Sequence, residues 1–167
     1  YHQHPASLAP ATRDRDGPVT ASAKDIYQAF LDETSRLVWN AEFDTLTRTM
    51  TYPHVIATKE RDVTVEDGPA LTVLATAFRA NIGTLGATAY HRICRSASFR
   101  VGDANWIDGT HETYVLRGAT TILEPFTGVM SLRHDGTRWL GAGIRSDVRN
   151  ADICMNAPEI LTTRSFT

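Results

Sequence analysis

The spacing of apolar residues changes once along this chain, from a helical period to an alternating one, and the change divides the sequence into two halves. In the first half Ile26, Phe30, Leu37 and Ala41, flanked by Tyr27, Leu31 and Val38, recur at the three-and-four spacing of an amphipathic helix, with Ser22 or Thr20 placed to cap its start. The stretch 40–50 carries the stripe on through Phe43 and Leu46 as a second, shorter helix. Positions 52–58 and 62–66 alternate like two short strands, joined by the polar turn Lys59-Glu60-Arg61. Asp67 then caps a long helix with Pro69 in its first turn, where a missing N–H is harmless. Leu71, Leu74, Phe78, Ile82 and Leu85 run down one face of that helix, and Gly86 suits its C-terminal end. Everything after it alternates. Strands are predicted over 87–101, 111–123, 126–134 and 138–148, punctuated by Gly102-Asp103, Asp108-Gly109, Glu124-Pro125 and Asp135-Gly136, the last a strong hairpin signal.

The flanks lack this order. Residues 1–20 hold three prolines and no apolar period and are read as an extended arm; residues 149–167 form a weakly patterned tail that packs across the domain or reaches a partner. Residues 21–148 are thus expected to form one α+β domain. A net charge of −2 supplies no basic field for nucleic acid, although only Lys24 and Lys59 are lysines among the 17 basic residues. No apolar run approaches the ~18 residues of a membrane span. Cys94 and Cys154 match no metal or redox spacing, so the default expectation is a reducing cytoplasm. No paired histidines or clustered carboxylates inside the domain suggest a metal, and no glycine-rich phosphate or dinucleotide turn suggests a cofactor. None is expected.

Helix, short helix, small hairpin, long helix and a meander of long strands is an order that resembles the nuclear transport factor two-like superfamily, in particular its SnoaL-like branch. The resemblance covers 23–148. It is carried by Phe43-Asp44 before Tyr52-Pro53, by the helix from Asp67 to Gly86, by Tyr114-Val115-Leu116-Arg117, and by Asp135-Gly136-Thr137-Arg138-Trp139-Leu140, a polar-Gly-x-x-Trp lead-in to the final strand. It implies a cone: a strongly curved, mixed or antiparallel sheet wrapped around about three helices, with an internal pocket open at one end. A dimer is often implied too. No single chemistry is, because the fold serves dehydratases, isomerases, cyclases, ring-hydroxylase subunits and binding proteins.

Chemistry must therefore come from residues that could line the pocket. In 87–101 the odd-numbered set (Ala89, His91, Ile93, Arg95, Ala97, Phe99, Val101) is the more apolar and is expected to face inward, which makes His91 and Arg95 polar exceptions on a buried face. His91 is then either a proton-transfer group or a satisfied core histidine, and Arg95 either an anion stabiliser or the structural partner of Glu112 or Asp147. A bulge would reverse the parity. His54 heads a short strand and is a candidate acid-base group if it faces a cavity, with Asp44 or Glu42 behind it. The candidate catalytic set is His54, His91, Arg95 and Asp44, and the candidate ligand contacts are Tyr52, Tyr90, Phe78 and Glu112.

Two functions fit. One is a cofactor-free lyase (dehydratase) or isomerase acting on a small, partly apolar molecule; the other is a ligand-binding or dimeric interaction module with the same pocket. In both, the polar even-numbered face of 88–100 is expected to form a homodimer through the sheet.

Overall fold

In the computed structural model residues 21–153 are described, so the expected arm and all of the tail beyond Ile153, Cys154 included, lie outside the described residues. Helix α1 (Ala23–Trp39) begins where the sequence expects: the Ser22 hydroxyl accepts from the Asp25 N–H at 3.1 Å. It buries Tyr27, Leu31 and Leu37 completely. The short α2 (Phe43–Thr47) sets Leu46 against Leu37 and Ala75. The hairpin of β1 (His54–Ala57) and β2 (Asp62–Val65) follows, and then α3 (Gly68–Thr84), capped by Asp67 with its carboxylate 2.9 Å from the Ala70 N–H. Arg79 of α3 lies 4.0 Å over the Trp39 ring and donates to the Trp39 carbonyl, tying α3 to the end of α1.

The second half is a long meander: β3 (Ala89–Arg100), β4 (Asp103–Arg117), the two-residue β5 (Thr120–Thr121), β6 (Phe126–His134) and β7 (Trp139–Ser146), then a single helical turn, α4 (Asn150–Ile153). The sheet runs β2-β1-β7-β6-β4-β3 with β5 beside β4; every pairing is antiparallel except β1 with β7. It is an open α+β cone. The helices occupy its concave side. Phe78 and Ile82 of α3 pack on Val115 and Phe126, while Tyr27 and Leu31 of α1 pack on Ile107, Met130 and Leu132. Each large apolar side chain so buried contributes roughly 1.5–3 kcal/mol.

Two departures from the sequence expectation matter for the site. First, Asp108-Gly109 is no turn. Strand β4 runs unbroken through it, eight residues earlier than predicted, because a side chain at 109 would overlap the Tyr27 ring; the glycine is there for that close approach. Second, β3 is bulged between Cys94 and Ser96. The Cys94 N–H turns to the Gln28 side-chain oxygen at 2.7 Å, and Gln28 returns a bond to the Arg92 carbonyl at 3.0 Å. Before the bulge the even residues Tyr90, Arg92 and Cys94 face the helices; beyond it the odd residue Ala97 packs against the α1 core, and Phe99, partly exposed, lies against the Trp139 ring of β7. The odd-inward expectation therefore holds only after Arg95 and is reversed for His91, Ile93 and Arg95 themselves.

Candidate functional site

Where α1, α3 and the concave face of the sheet meet, they leave a cavity of about 80 Å³. Its wall is largely aliphatic and aromatic, with Val38, Leu74, Phe78, Tyr90 and Phe126 among the lining residues. Three ionisable nitrogen-bearing side chains interrupt that wall: His54 from β1, Arg92 from β3 and His111 from β4. No carboxylate lines it among the described residues.

His54 is 2% exposed, and its Nδ1 has no hydrogen-bond partner among the described residues. Burial lowers its pKa to about 4, against the opposing pull of the Gly141 and Thr51 carbonyls. The imidazole is neutral at pH 7.

His111 is held differently. Its Nδ1 lies 2.6 Å from the Tyr27 hydroxyl, and its ring fills the space that only a glycine at 128 leaves open, since a Cβ there would overlap it. Burial, and then the nearby Arg92 charge, bring its pKa down to about 3. Burial also raises the Tyr27 phenol well above its ordinary value, so that hydroxyl keeps its proton. Nδ1 is the acceptor that proton reaches among the described residues, so Tyr27 donates to it and the neutral ring carries its hydrogen on Nε2. Among the described residues that Nε2–H donates to no side chain or backbone group.

Arg92 is 9% exposed. Its Nε donates to the Ser35 hydroxyl at 2.8 Å, and its Nη2 donates to the Leu31 carbonyl at 3.3 Å and to the Thr34 hydroxyl. All three acceptors are neutral oxygens of α1. The two Nη1 hydrogens have no described acceptor, and no carboxylate lies within salt-bridge reach among the described residues.

Of the residues singled out in the sequence, His54, Phe78 and Tyr90 line this cavity, with the Phe78 and Tyr90 rings edge to face at 5.4 Å. Tyr52 packs beside Ile56 and Leu71 with its hydroxyl on the Thr47 carbonyl. The others are elsewhere. His91 is exposed on the convex face. Arg95, also convex, forms a 2.8 Å ion pair with Glu112 and a bond to Tyr114, the structural pairing the sequence left open. Asp44 is exposed on α2 and does not back His54; Glu42 is occupied by Arg36. The expected meeting of His54 with His91 and Arg95 is thus replaced by that of His54 with His111 and Arg92. Both newcomers were legible only through register: His111 shares a face with Ile107 and Val115, and Arg92 with Tyr90 and Cys94. Among the described residues no cluster of three or more histidine, cysteine or carboxylate groups could hold a metal.

Solved structures share this fold. An NTF2-like protein with a cystatin-like fold from Novosphingobium aromaticivorans superposes with a TM-score of 0.56 at 9% identity, over 81% of this chain and 87% of that one. The fold is that of the NTF2-like proteins. Aln2 from a Streptomyces species matches with a TM-score of 0.56 at 10% identity, over 84% and 93% of the two chains. The β subunit of a benzoate 1,2-dioxygenase from Burkholderia mallei matches with 0.53 at 11% identity, over 80% and 95%. No family model matches the sequence, and no curated protein does. An NTF2-like cone accounts for the cavity, and the chemistry rests on the residues in its wall. No helix among the described residues is long and apolar enough to cross a membrane.

Proposed function

We propose that this NTF2-like domain binds a small, partly apolar molecule in the cone and acts on it as a cofactor-independent lyase or isomerase. The observation that carries the reading is the convergence of His54, His111 and Arg92 on one largely apolar cavity, whose other polar lining is the hydroxyls of Thr34, Thr113 and Ser146 and the Tyr90 ring. The neutral His54 imidazole takes a proton from a carbon next to a carbonyl of the ligand. The C–H electron pair moves into a C=C bond and the carbonyl pair onto oxygen, where the Nε2–H of His111 meets the new oxyanion in the field of Arg92. Collapse of that enolate either expels a β-hydroxyl, which leaves as water with the proton that His54 had taken, or, where the ligand carries a β,γ-double bond, returns that proton to the γ carbon and leaves the double bond at α,β. The first is dehydration, the second isomerisation. A pKa of about 4 makes His54 a weak base in the empty site, and anionic charge forming beside it raises that value.

Proton exchange tests this without knowledge of the full reaction. In D₂O, the protein is expected to accelerate α-hydrogen exchange in a panel of small ketones and oxo acids followed by proton NMR, and His54→Ala and His111→Ala are each expected to slow it at least ~100-fold. Binding of panel members with no accelerated exchange overturns the catalytic reading and leaves a ligand-binding domain.

The same domain is proposed to pair through the sheet. The convex face exposes Ile93 and Val129 to 42% and 50%, amid the polar His91, Thr110 and Thr127. This is the face that the bulge in β3 turns outward, and it takes the place of the even-numbered face expected from sequence. Light scattering at micromolar concentration is expected to give a dimer that Ile93→Asp with Val129→Asp dissociates; a wild-type particle of 18.4 kDa rules it out.

A further inference from the structure

We infer that the ligand of this cavity carries a permanent carboxylate, and that Arg92 is its receptor. The inference rests on the pocket reading above and narrows it to a class of molecule, small carboxylic acids with a short apolar body.

The first ground is the charge balance of the wall. Arg92 is a guanidinium on the lining of a cavity with no carboxylate among the described residues, and its partners there are a serine hydroxyl, a threonine hydroxyl, a backbone carbonyl and, 5.8 Å away, the Tyr90 ring. These hold it in place without neutralising it. Nε and Nη2 are held by α1, while the Nη1 edge, with two hydrogens, meets no protein acceptor among the described residues and is not sealed away from solvent, so it is the edge open to an incoming anion. A guanidinium edge matches a carboxylate in geometry as well as in charge.

The second ground is the polarity of the remaining groups. With Tyr27 donating to Nδ1, His111 presents an N–H beside Arg92, so the Arg92–His111 side of the wall offers donors, while the unpartnered Nδ1 of His54 offers the acceptor that would take up a proton. A ligand that satisfies Arg92 and His111 brings oxygen lone pairs to that side of the cavity and leaves its C–H bonds toward His54. An amine or a cation would meet only like charge.

The third ground is access. Arg92 and Tyr90 line both the inner cavity and a groove on the surface between α1 and the start of β3, where Arg36 and His91 also stand. The carboxylate of that groove, Asp32, accepts from the Gln28 amide at 2.9 Å. The guanidinium therefore stands at the boundary between groove and cavity, where an entering acid would leave its charged end. A cavity of about 80 Å³ is well below the ~300 Å³ of ordinary ligand pockets, which limits the body to a few carbons.

The test uses the unbranched monocarboxylates from acetate to hexanoate and their primary amides, which match in shape and differ in charge. Calorimetric titration of the whole chain is expected to show at least one acid binding ~10-fold or more tighter than its amide. Arg92→Met is expected to abolish that preference, and Arg92→Lys to keep part of it, since the charge remains while the paired donors are lost. If Arg92→Met loses its cooperative melt, the wild-type comparison and Arg92→Lys decide. Amides binding as tightly as the acids overturn the carboxylate inference while the pocket reading stands, as does an Arg92→Met protein that folds and still prefers the acid. Failure of every acid and amide to bind at about 10 mM overturns both.

Discussion

The two faces of the β3–β4 ribbon carry nearly the same residue types to opposite ends. On the convex face Arg95 meets Glu112 at 2.8 Å, with both side chains partly in water and the Tyr114 hydroxyl alongside. On the concave face, Arg92 and His111 are buried under α1 and, among the described residues, hydrogen-bond to neutral groups. An arginine beside a carboxylate in water is a finished interaction of small worth. An arginine facing an apolar cavity with donors to spare is unfinished, and its cost is tolerable only where something else completes it. The location of unsatisfied polarity, rather than the location of charge, separates the face that holds chemistry from the face that holds shape.

The largest expected effect that sharpens this contrast is in pH. A histidine whose pKa falls on folding takes up protons more readily when unfolded. Its contribution is therefore fully present above the ordinary value of 6.5 and drains away as pH falls toward about 4 for His54 and about 3 for His111. Between pH 6.5 and 4, wild-type protein is expected to lose about 3 kcal/mol more unfolding free energy than His54→Leu, as measured by urea titration at each pH. Carboxylates titrating in the same window cancel in the difference. Parallel profiles for the two proteins would show that His54 is not held neutral by burial.

Next in size is Gly128→Ala. The new methyl group would overlap the His111 ring on the concave side, and overpacking of this kind costs about 1–3 kcal/mol. Thr127→Ala, one residue along and on the exposed face, is the matched control and is expected to leave the urea midpoint unchanged. Tyr27→Phe comes after it. It removes the bond to Nδ1 and leaves that nitrogen buried and unpaired, a loss of about 1–2 kcal/mol in the same titration. It also frees the His111 tautomer, so α-hydrogen exchange should slow while folding persists. Equal activity in Tyr27→Phe would show that Tyr27 does not set the donor on His111.

Most of the fold was legible because it is written in local rules. The stripes on α1 and α3, the caps at Ser22 and Asp67 and the turn at Asp135-Gly136 each depend on neighbours within a few residues, and each appears where the sequence puts it. The site was half legible for the opposite reason. Which face of β3 turns inward depends on one extra residue at Arg95, and that bulge is fixed by Gln28, some 66 residues away. His111 was hidden by Asp108-Gly109, which looks like a turn until Tyr27 is placed on the glycine. A period-two reading continued through Gly109 would have put Ile107, His111, Thr113 and Val115 on one buried face and named His111 as its polar exception. His54, whose position depends only on the short hairpin, needed no such long-range information.

The smallest expected effect belongs to the convex face, and its smallness is the point. Arg95 and Glu112 form a good ion pair, with a second bond from Arg95 Nε and a third to Tyr114, yet the arginine side chain is 51% exposed. Water screens the attraction and holding two long side chains together costs entropy, so the pair contributes little to folding. Arg95→Ala, Glu112→Ala and the double variant are therefore expected to unfold at the same urea concentration as wild type, with no coupling in the cycle at moderate salt. Exchange activity and acid binding should be untouched, since neither residue lines the cavity. A loss of either on Arg95→Ala, with folding intact, would mean that the convex face reaches the site after all, through the strand or through a partner subunit seated on it. That result would return Arg95 to the functional set and weaken the division between the two faces.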